Sequence, residues 1–431
     1  MNPQEIIKNL LSRNIQSEVF QSETESSSII FENDVFKKIE SKSVSGTGLR
    51  VIKDQKIGFS YSSGNQLGKL VDFATENASL GNEAKFQFPD KPASEMDGLF
   101  HEEVQSLTFE NMKQTGQEIV EKFHKELPGF KVNVDIEKET SQVKIANSTG
   151  LDTSYQKTYY SVFFSVMRAK DDEIFSAADG SVSLGIDNAF HHRAEELIGL
   201  CQRLDDRTQI RSGNFPVIFT PKAAALLYNI LTFAFNGKNI QKGSSPLCGK
   251  MGEQLFASNF TMTDMPLYPG GISSQPFDGE GTPSKDKALI KNGRIENFIY
   301  DLFTASLLGE KSTGNGRRGY STIPAPGFYN VHIQPGNSTV SDMISQIKEG
   351  IYVDEFIGGG QSNVIAGEFS VNLTLAYKIE NGKITGSLKD TMISGNVFNL
   401  FKNNPVFGKD LYTKSIYITP YLQLQDVSVS A

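Results

Sequence analysis

The stretch from Phe277 to Gly319 reads FDGEGTPSKDKALIKNGRIENFIYDLFTASLLGEKSTGNGRRG, and it is the most informative part of the chain for the fold. A turn rich in Gly, Ser and Pro occupies Asp278–Ser284. Two short strands are predicted on either side of Asn292-Gly293, because this dipeptide suits the left-handed backbone of a tight hairpin turn. An apolar helix is predicted over Ile299–Leu308 and is ended by the glycine that follows it. A second Gly-rich loop, GNGRRG, then closes the stretch, so the order of elements predicts mixed α and β structure.

The rest of the chain extends this pattern of strands joined by short turns. A hairpin is predicted about Asp54-Gln55, residues 131–183 are rich in strand-like segments, and GEFSVNLTLAYKIENGKITGSL predicts two long strands joined at Asn381-Gly382. No regular alternation of strands and helices of the doubly wound type is present. We therefore predict an α+β fold. Its N-terminal α/β sandwich-like unit spans residues 1–205, and its C-terminal unit, residues 206–431, is dominated by a large antiparallel or barrel-like β-sheet.

The sequence clearly indicates where one helix near the start of the second unit begins. Thr220 is a favourable N-cap residue, and Pro221 suits the first helical position because its missing N–H is not needed there. The helix is predicted to run from Pro221 to Asn236 and contains the segment LLYNILTF.

The order of elements in Lys242–Gly319 and the segment SGNVFNLFKNNPVFGKD over Ser394–Asp410 resemble the TldD/TldE (PmbA) family. Members of this family carry the label of DNA gyrase modulators. The resemblance covers most of the chain and implies the family's fold. It also implies membership of one of two branches, zinc peptidases or partners that lack the zinc ligands.

The helix predicted over Pro221–Asn236 indicates the branch. In the zinc-bearing branch the equivalent helix carries a His-Glu-x-x-x-His motif, and a cysteine late in the chain supplies a third ligand. Here Tyr228, Asn229 and Phe233 stand at the motif positions, and no cysteine follows Cys248. Tyrosine and phenylalanine cannot replace neutral imidazoles on Zn²⁺, and asparagine cannot accept a proton as a carboxylate does. The resemblance therefore implies that this chain has no catalytic residues, no metal and no cofactor.

The same resemblance implies a subunit of a peptidase that encloses a chamber for unfolded peptides. The chain would act as a heterodimer with a zinc-bearing TldD-like paralogue, or as a homodimer. The edge of the strand at 367–380 is one candidate for contact with peptide or partner. The other candidates belong to two Gly-rich loops: Gly358, Gly359, Gly360, Asn315, Arg317 and Arg318. The alternative interpretations are that the glycines only allow the backbone to turn, and that the arginines form ion pairs at the surface.

Two other classes of function remain open, a stand-alone homodimeric peptide-binding protein and a peptidase with a relocated site. A relocated site would use Cys248 or the pair His191 and His192. Each of these histidines precedes a glutamate by four residues, a spacing that shares one helix face but is also typical of ordinary surface contacts. Cys201 lies in an apolar helical pattern and is predicted to be buried, whereas Cys248 lies in a Gly-rich loop.

Composition narrows the classes of partner. The 431 residues include 42 Lys and Arg against 50 Asp and Glu, a net charge of −8, which argues against direct binding of nucleic acid. No apolar run is long enough to span a membrane, and the first helix lacks the features of a signal peptide. With only two cysteines, no disulfide framework is expected. We therefore expect a cytoplasmic protein.

Overall fold

The computed structural model describes residues 3–63, 69–170, 173–359 and 363–431. The first unit is built on one antiparallel sheet of six strands, in the order β3-β2-β1-β4-β5-β6. Several of these strands are 17 to 19 residues long. The strands are β1 (Gln16–Glu32), β2 (Val35–Lys53), β3 (Lys56–Ser63), β4 (Lys131–Asn147), β5 (Asp152–Lys170) and β6 (Glu173–Ser183).

Helices cover one face of this sheet. They are α1 (Pro3–Ser12), α2 (Leu70–Asn77), α3 (Glu102–Ser106), α4 (Phe109–Glu126) and α5 (Ala189–Cys201), with a 3₁₀ turn at Ala78–Leu80. Thr108 caps α4, because its hydroxyl accepts a hydrogen bond from the Asn111 amide at 3.2 Å. Val132 and Val134 of β4 pack in the same apolar core as α4. Since strand residues alternate between faces, Glu139, Ser141 and Val143 lie on the opposite face, which turns toward the second unit.

The second unit contains a closed ring of five strands. The ring follows the order β14-β7-β21-β17-β15 and closes because β15 pairs back onto β14. The strands of this unit are β7 (Gly213–Phe219), β8 (Met262–Asp264), β9 (Lys287–Lys291), β10 (Arg294–Ile295), β11 (Gly316–Arg317), β12 (Ala325–Pro326), β13 (Val331–Ile333), β14 (Glu349–Ile357), β15 (Glu368–Glu380), β16 (Lys383–Ser387), β17 (Met392–Asn396), β18 (Val406–Phe407), β19 (Tyr412–Lys414), β20 (Tyr417–Thr419) and β21 (Leu422–Ser430). The predicted α+β class, with a barrel-like sheet in the second unit, is confirmed.

A second curled sheet and short helices surround this barrel. The sheet has the order β10-β9-β8-β13-β20-β19 and is antiparallel except between β13 and β20. The helices are α6 (Pro221–Phe235), α7 (Gly237–Gln241), α8 (Leu302–Leu308), α9 (Val340–Ser345) and α10 (Val397–Leu400). No helix among the described residues is long and apolar enough to cross a membrane.

One apolar core is shared by the two units. Ile218 of β7 and Tyr377 of β15 are buried together with Val162 of β5 and Leu197 of α5. The neighbouring residues Val217 and Phe219 belong to a separate core around α6. Strand β7 therefore packs on both faces through its apolar run Phe215–Phe219.

The stretch from Phe277 to Gly319 folds largely as predicted. Asn292 and Gly293 have positive φ angles of 50° and 80°, and Gly309 ends α8 with a φ of 71°. The start predicted for this helix at Ile299 is wrong. The carboxylate of Asp301 accepts a hydrogen bond from the Thr304 amide at 2.8 Å, so α8 begins at Leu302.

Candidate functional site

Helix α6 carries Tyr228, Asn229 and Phe233, the three residues that the family resemblance places at the zinc motif. It begins as predicted, with Pro221 at its first position and the Thr220 hydroxyl accepting a hydrogen bond from the Ala223 amide at 3.3 Å. The helix continues to Phe235 without interruption. Residues along it therefore rotate by about 100° each, so neighbouring positions point in different directions.

Tyr228 is fully buried in the core of the second unit. Its ring centroid lies 5.8 Å from that of Phe401 and 5.8 Å from that of Tyr417. Its hydroxyl oxygen accepts a hydrogen bond from the Thr419 hydroxyl at 3.1 Å. Burial raises the pKa of the phenol well above its usual value, so the group stays neutral. Tyr228 thus serves as a packing residue with one internal hydrogen bond.

The other two positions have different surroundings. Asn229 is exposed, and its side-chain oxygen accepts a hydrogen bond from the Tyr417 hydroxyl at 2.5 Å. Phe233 is half-buried and offers only its backbone carbonyl, which accepts a hydrogen bond from the Asn239 side chain at 2.8 Å. A neutral phenol, an amide and a phenyl ring do not form a donor set for Zn²⁺, and none of the three can serve as a general base. These residues do not fit a catalytic zinc ion.

The alternative metal ligands do not assemble into a cluster either. Within residues 3–63, 69–170, 173–359 and 363–431, no group of three His, Cys, Asp or Glu side chains is placed to hold a metal ion. His192 Nε2 lies 3.4 Å from Glu196 Oε1 on the exposed face of α5. His191 packs against the ring of Phe190 at 4.1 Å. Both histidines make surface contacts of the ordinary kind.

The two cysteines lie in different surroundings. Cys201 is buried as predicted, and burial raises the pKa of its thiol to about 12. Cys248 is half-buried, and its sulfur lies 3.7 Å from the carbonyl oxygen of Ile240. A protonated thiol is a weak nucleophile, so the environment of Cys201 does not favour chemistry there.

The first Gly-rich loop lies beside α6. Gly358 has a φ of 97°, a conformation that favours glycine. A Cβ atom on Gly359 would lie 3.2 Å from Leu226 Cδ1, so this backbone approaches α6 closely. Gly360 lies outside the described residues. Leu226 and Asn229 are three positions apart and share a helix face, which makes the loop a neighbour of the motif helix.

The strand that follows this loop is not an edge strand over most of its length. Residues 372–380 of β15 pair with β14 on one side. On the other side, β15 pairs with β16 and β17. The predicted edge at 367–380 is therefore covered over residues 372–380, where closure of the barrel adds β14, whereas residues 368–371 pair with β17 but not with β14.

In the second Gly-rich loop, Asn315 is buried and its hydrogen-bonding groups are engaged inside the protein. Its side-chain amide donates to Asp264 Oδ2 at 2.7 Å and to the Gly327 carbonyl at 2.9 Å. Its side-chain oxygen accepts from the Thr313 hydroxyl at 2.8 Å. These bonds fix the conformation of the loop.

The two arginines of this loop differ in exposure. Arg317 is exposed and donates from Nη1 to the Phe328 carbonyl at 2.6 Å. The Arg318 side chain is buried, with its guanidinium carbon 4.8 Å from the ring centroid of Phe20 and 5.6 Å from that of Phe59. The alternative of a surface ion pair is therefore wrong for Arg318.

Arg318 belongs to a buried network of charges that joins the two units. Its Nη1 atom lies 2.6 Å from Glu18 Oε1, and Glu18 Oε2 lies 2.8 Å from Arg50 Nη2. Arg50 Nη1 lies 2.6 Å from Glu280 Oε1, and Arg50 is only 1% exposed. Glu18 and Arg50 come from β1 and β2, whereas Glu280 and Arg318 come from the stretch quoted at the outset. The network therefore holds this stretch on the sheet of the first unit.

Asp278 lies beside this network. Its carboxylate accepts hydrogen bonds from the amides of Gly316 at 2.8 Å, Glu280 at 2.9 Å and Thr282 at 2.9 Å. Burial raises the pKa values of Asp278 and Glu280, while these amides and Arg50 act in the opposite direction. This pair of carboxyl groups holds the turn at 278–282 in place.

A cavity of about 250 Å³ lies between the first sheet and the loops of the second unit. Its floor is the face of β1, β4 and β5 that turns away from the helices, and its other walls come from the loops around 273–279 and 317–318. The residues that line it are Phe20, Thr24, Glu139, Ser141, Val143, Tyr155, Lys157, Tyr159, Ser273, Gln275, Asp278, Gly279, Arg317, Arg318 and Tyr329. Arg317 and Arg318, two of the candidate residues for contact with peptide or partner, both line this cavity.

Lys157 is the most unusual group in the cavity wall. It is 3% exposed, and its ammonium donates to the Ile272 carbonyl at 2.9 Å. Burial lowers the pKa of Lys157 to about 7. No carboxylate of the described chain lies within ion-pair distance of it. Lys157 could not be identified from the sequence, because polar residues in a strand usually indicate a face that is exposed to solvent.

We expect Lys157→Met to raise the free energy of unfolding by roughly 1–4 kcal/mol at pH 7, because an apolar chain of similar length replaces a buried ammonium. Since the pKa falls from 10.5 to about 7 on folding, the unfolded chain binds more protons between these values. The native chain therefore gains stability as pH rises from 7 to 10.5. The variant lacks this pH-dependent gain, so the difference in the free energy of unfolding between the variant and the native chain becomes smaller toward pH 10.5. Urea unfolding at pH 7 and pH 10 measures the difference, and an equal advantage at both values would contradict the prediction.

The geometry of this chain is shared with a known family. Residues 212–431 match the family model described as the PmbA/TldA metallopeptidase C-terminal domain, and residues 17–78 match the model for PmbA/TldA metallopeptidase domain 1. An uncharacterized protein of Methanocaldococcus jannaschii is 30% identical over 83% of this chain and 83% of its own. The metalloprotease TldD homolog of Buchnera aphidicola is 26% identical over 91% of this chain and 84% of its own. The crystal structure of TldE from Thermococcus kodakarensis superposes with a TM-score of 0.93 at 23% identity, covering 99% of both chains.

Proposed function

Since the chain belongs to the PmbA/TldD metallopeptidase family, we propose that it is a zinc-free subunit of a metallopeptidase complex that acts on unfolded peptides. The observation that carries this proposal is the environment of α6. Tyr228 is buried and bonded to Thr419, Asn229 is bonded to Tyr417, and Phe233 has an apolar side chain. The helix that would supply the ligands and the general base in a zinc peptidase supplies packing and neutral hydrogen bonds here.

In this arrangement a partner carries out the chemistry, and this chain contributes a surface that binds the peptide. A zinc-bearing TldD-like paralogue would provide the metal and the base. This chain would provide a wall of the peptide chamber, including the loop at Gly358 and Gly359 beside α6. Main-chain hydrogen bonds to an extended peptide give affinity that tolerates many sequences, which suits unfolded substrates.

The purified chain is expected to contain far less than one zinc ion per molecule and to leave an unfolded protein, such as reduced and alkylated lysozyme, uncleaved. Elemental analysis and a peptidase assay with and without EDTA measure the two properties. The physical reason is that the donor set at Tyr228, Asn229 and Phe233 cannot replace the water shell of Zn²⁺. About one zinc ion per chain, or hydrolysis that EDTA abolishes, would sink the proposal.

We further propose that the chain forms a dimer, either with itself or with the paralogue, through the second unit. Ile357 is 61% exposed and pairs with Asn372, which in turn pairs with the half-exposed Met392 on the next strand. Cross-strand partners share one face of a sheet, so Ile357 and Met392 lie on the same exposed face, on either side of Asn372. Two exposed apolar side chains beside an asparagine suit a protein contact.

Light scattering at micromolar concentration tests the dimer. We expect the native chain to be dimeric and Ile357→Glu to be largely monomeric, because a charge at the centre of an apolar contact loses its hydration. Ile174→Glu is the matched control, since Ile174 is 79% exposed but lies on β6 of the first unit. A monomeric native chain, both alone and in the presence of the paralogue, would contradict the proposal, as would a dimer that Ile174→Glu disrupts and Ile357→Glu does not.

A further inference from the structure

We propose that the cavity between the two units binds a carboxylate group, with Lys157 and Tyr329 as its principal donors. Both side chains are almost completely buried, and both line the cavity. The inference stands apart from the proposed function, because it concerns binding by this chain alone and requires neither zinc nor a partner subunit.

The strongest argument is the unbalanced ammonium of Lys157. One of its three N–H groups donates to the Ile272 carbonyl at 2.9 Å, and the ammonium lies 5.2 Å from the centroid of the Tyr159 ring. Along the described chain, neither of the other two N–H groups has an acceptor. Burial of a charged group without a counter-ion is unfavourable, so buried charges in proteins are normally paired. An anion in the cavity would supply the missing partner.

Three further donor groups at the cavity, on Tyr329 and Arg318, are also unsatisfied. The hydroxyl of Tyr329 is buried and has no hydrogen-bond partner in the described chain, and neither have Nε and Nη2 of Arg318. Most buried polar groups in folded proteins do have partners, so several orphaned donors around one cavity point to an acceptor that binds there. Arg317, which is exposed, adds a second positive charge at the same wall.

The acidic groups of the wall favour a monoanion over a phosphate. Asp278 is held by three backbone amides and does not neutralise Lys157. Glu139 is half-buried in the same wall. Because these two carboxyl groups offset part of the positive charge of Lys157 and Arg317, the wall suits one negative charge on the ligand better than two. The cavity of about 250 Å³ has the volume of roughly eight water molecules, which is enough for a carboxylate and a small side chain.

A carboxylate of this size has two sources, the C-terminus of a peptide and a free small acid. Isothermal titration of the full chain with N-acetyl-trialanine, with its C-terminal amide and with acetate separates them. If the peptide binds and its amide binds at least tenfold more weakly, the ligand is a peptide C-terminus. If acetate binds as tightly as the peptide, the carboxylate site stands and its ligand is a small acid.

Lys157→Met is the decisive variant, because it removes the ammonium while keeping an apolar chain in the wall. We expect it to weaken binding of the preferred probe at least tenfold while its melting temperature stays at or above that of the native chain. Lys250→Met is the matched control, since Lys250 is an exposed lysine paired with Glu253, and it is expected to bind as the native chain does. Equal binding of the acid and the amide, no binding of any probe at 10 mM, or unchanged binding by a folded Lys157→Met would each overturn the proposal.

Discussion

Replacing Arg50 with methionine is expected to lower the free energy of unfolding by about 3–5 kcal/mol. Arg50 is buried between Glu18 and Glu280, with nitrogen–oxygen distances of 2.8 and 2.6 Å. Its loss leaves two buried carboxylates without their shared cation, and such groups cannot recover their hydration. Because Glu18 and Glu280 belong to different units, the stretch from Phe277 to Gly319 should also loosen from the first sheet. Urea denaturation measures the stability, and hydrogen exchange measures the loosening.

Arg207→Met is the matched control for Arg50→Met. Arg207 forms an ion pair with Glu173 at 3.1 Å, but the two side chains are 43% and 48% exposed. An exposed pair of this kind contributes about 0–1 kcal/mol, so the control should unfold almost as the native chain does. Equal losses in the two variants would show that burial of the network is not what makes it stabilising.

The combined substitution Tyr228→His, Asn229→Glu and Phe233→His is expected to destabilise the chain by several kcal/mol and to bind zinc only weakly. Tyr228 packs against Phe401 and Tyr417, so an imidazole there is buried with part of its hydrogen bonding unsatisfied. Positions 228 and 233 are five apart, about 140° around a regular helix, and α6 is regular from Pro221 to Phe235. The two imidazoles would therefore diverge. Thermal melting and zinc titration measure the outcome.

Asn229→Glu alone serves as the control, because Asn229 is exposed and a charge there stays hydrated. We expect its stability to lie within about 1 kcal/mol of the native chain. Tight zinc binding by the combined variant, with an unchanged melting temperature, would mean that α6 already has the geometry of a metal site. That result would contradict the interpretation of Tyr228 as a packing residue.

Local features of the fold could be predicted from the sequence because short-range physics determines them. Asn381 and Gly382 have φ angles of 49° and 77°, as a tight hairpin requires, and the caps at Thr108 and Thr220 act within three residues. The missed start of α8 is also local. Its apolar residues begin before Asp301, and the cap of that aspartate outweighs them.

The buried network and the cavity could not be predicted in this way. Glu18 and Arg318 are 300 positions apart in the chain, and their contact exists only when the two units pack together. Glu139 of β4 and Lys157 of β5 lie within runs of polar residues, Glu137–Gln142 and Gln156–Thr158. That pattern normally indicates a solvated face, but the second unit covers it here. Closure of the barrel is another long-range effect, and it is why residues 372–380 of β15 pair with β14.

The central claim is that this chain completes a peptidase whose zinc belongs to another subunit. The most direct measurement is the rate of hydrolysis of reduced and alkylated lysozyme by this chain, by a zinc-bearing TldD-like paralogue from the same genome, and by an equimolar mixture. We predict no hydrolysis by this chain, a large increase in rate in the mixture over the paralogue alone, and complete loss of that rate with EDTA. A mixture no faster than the paralogue alone, or zinc-dependent hydrolysis by this chain without a partner, would contradict the claim.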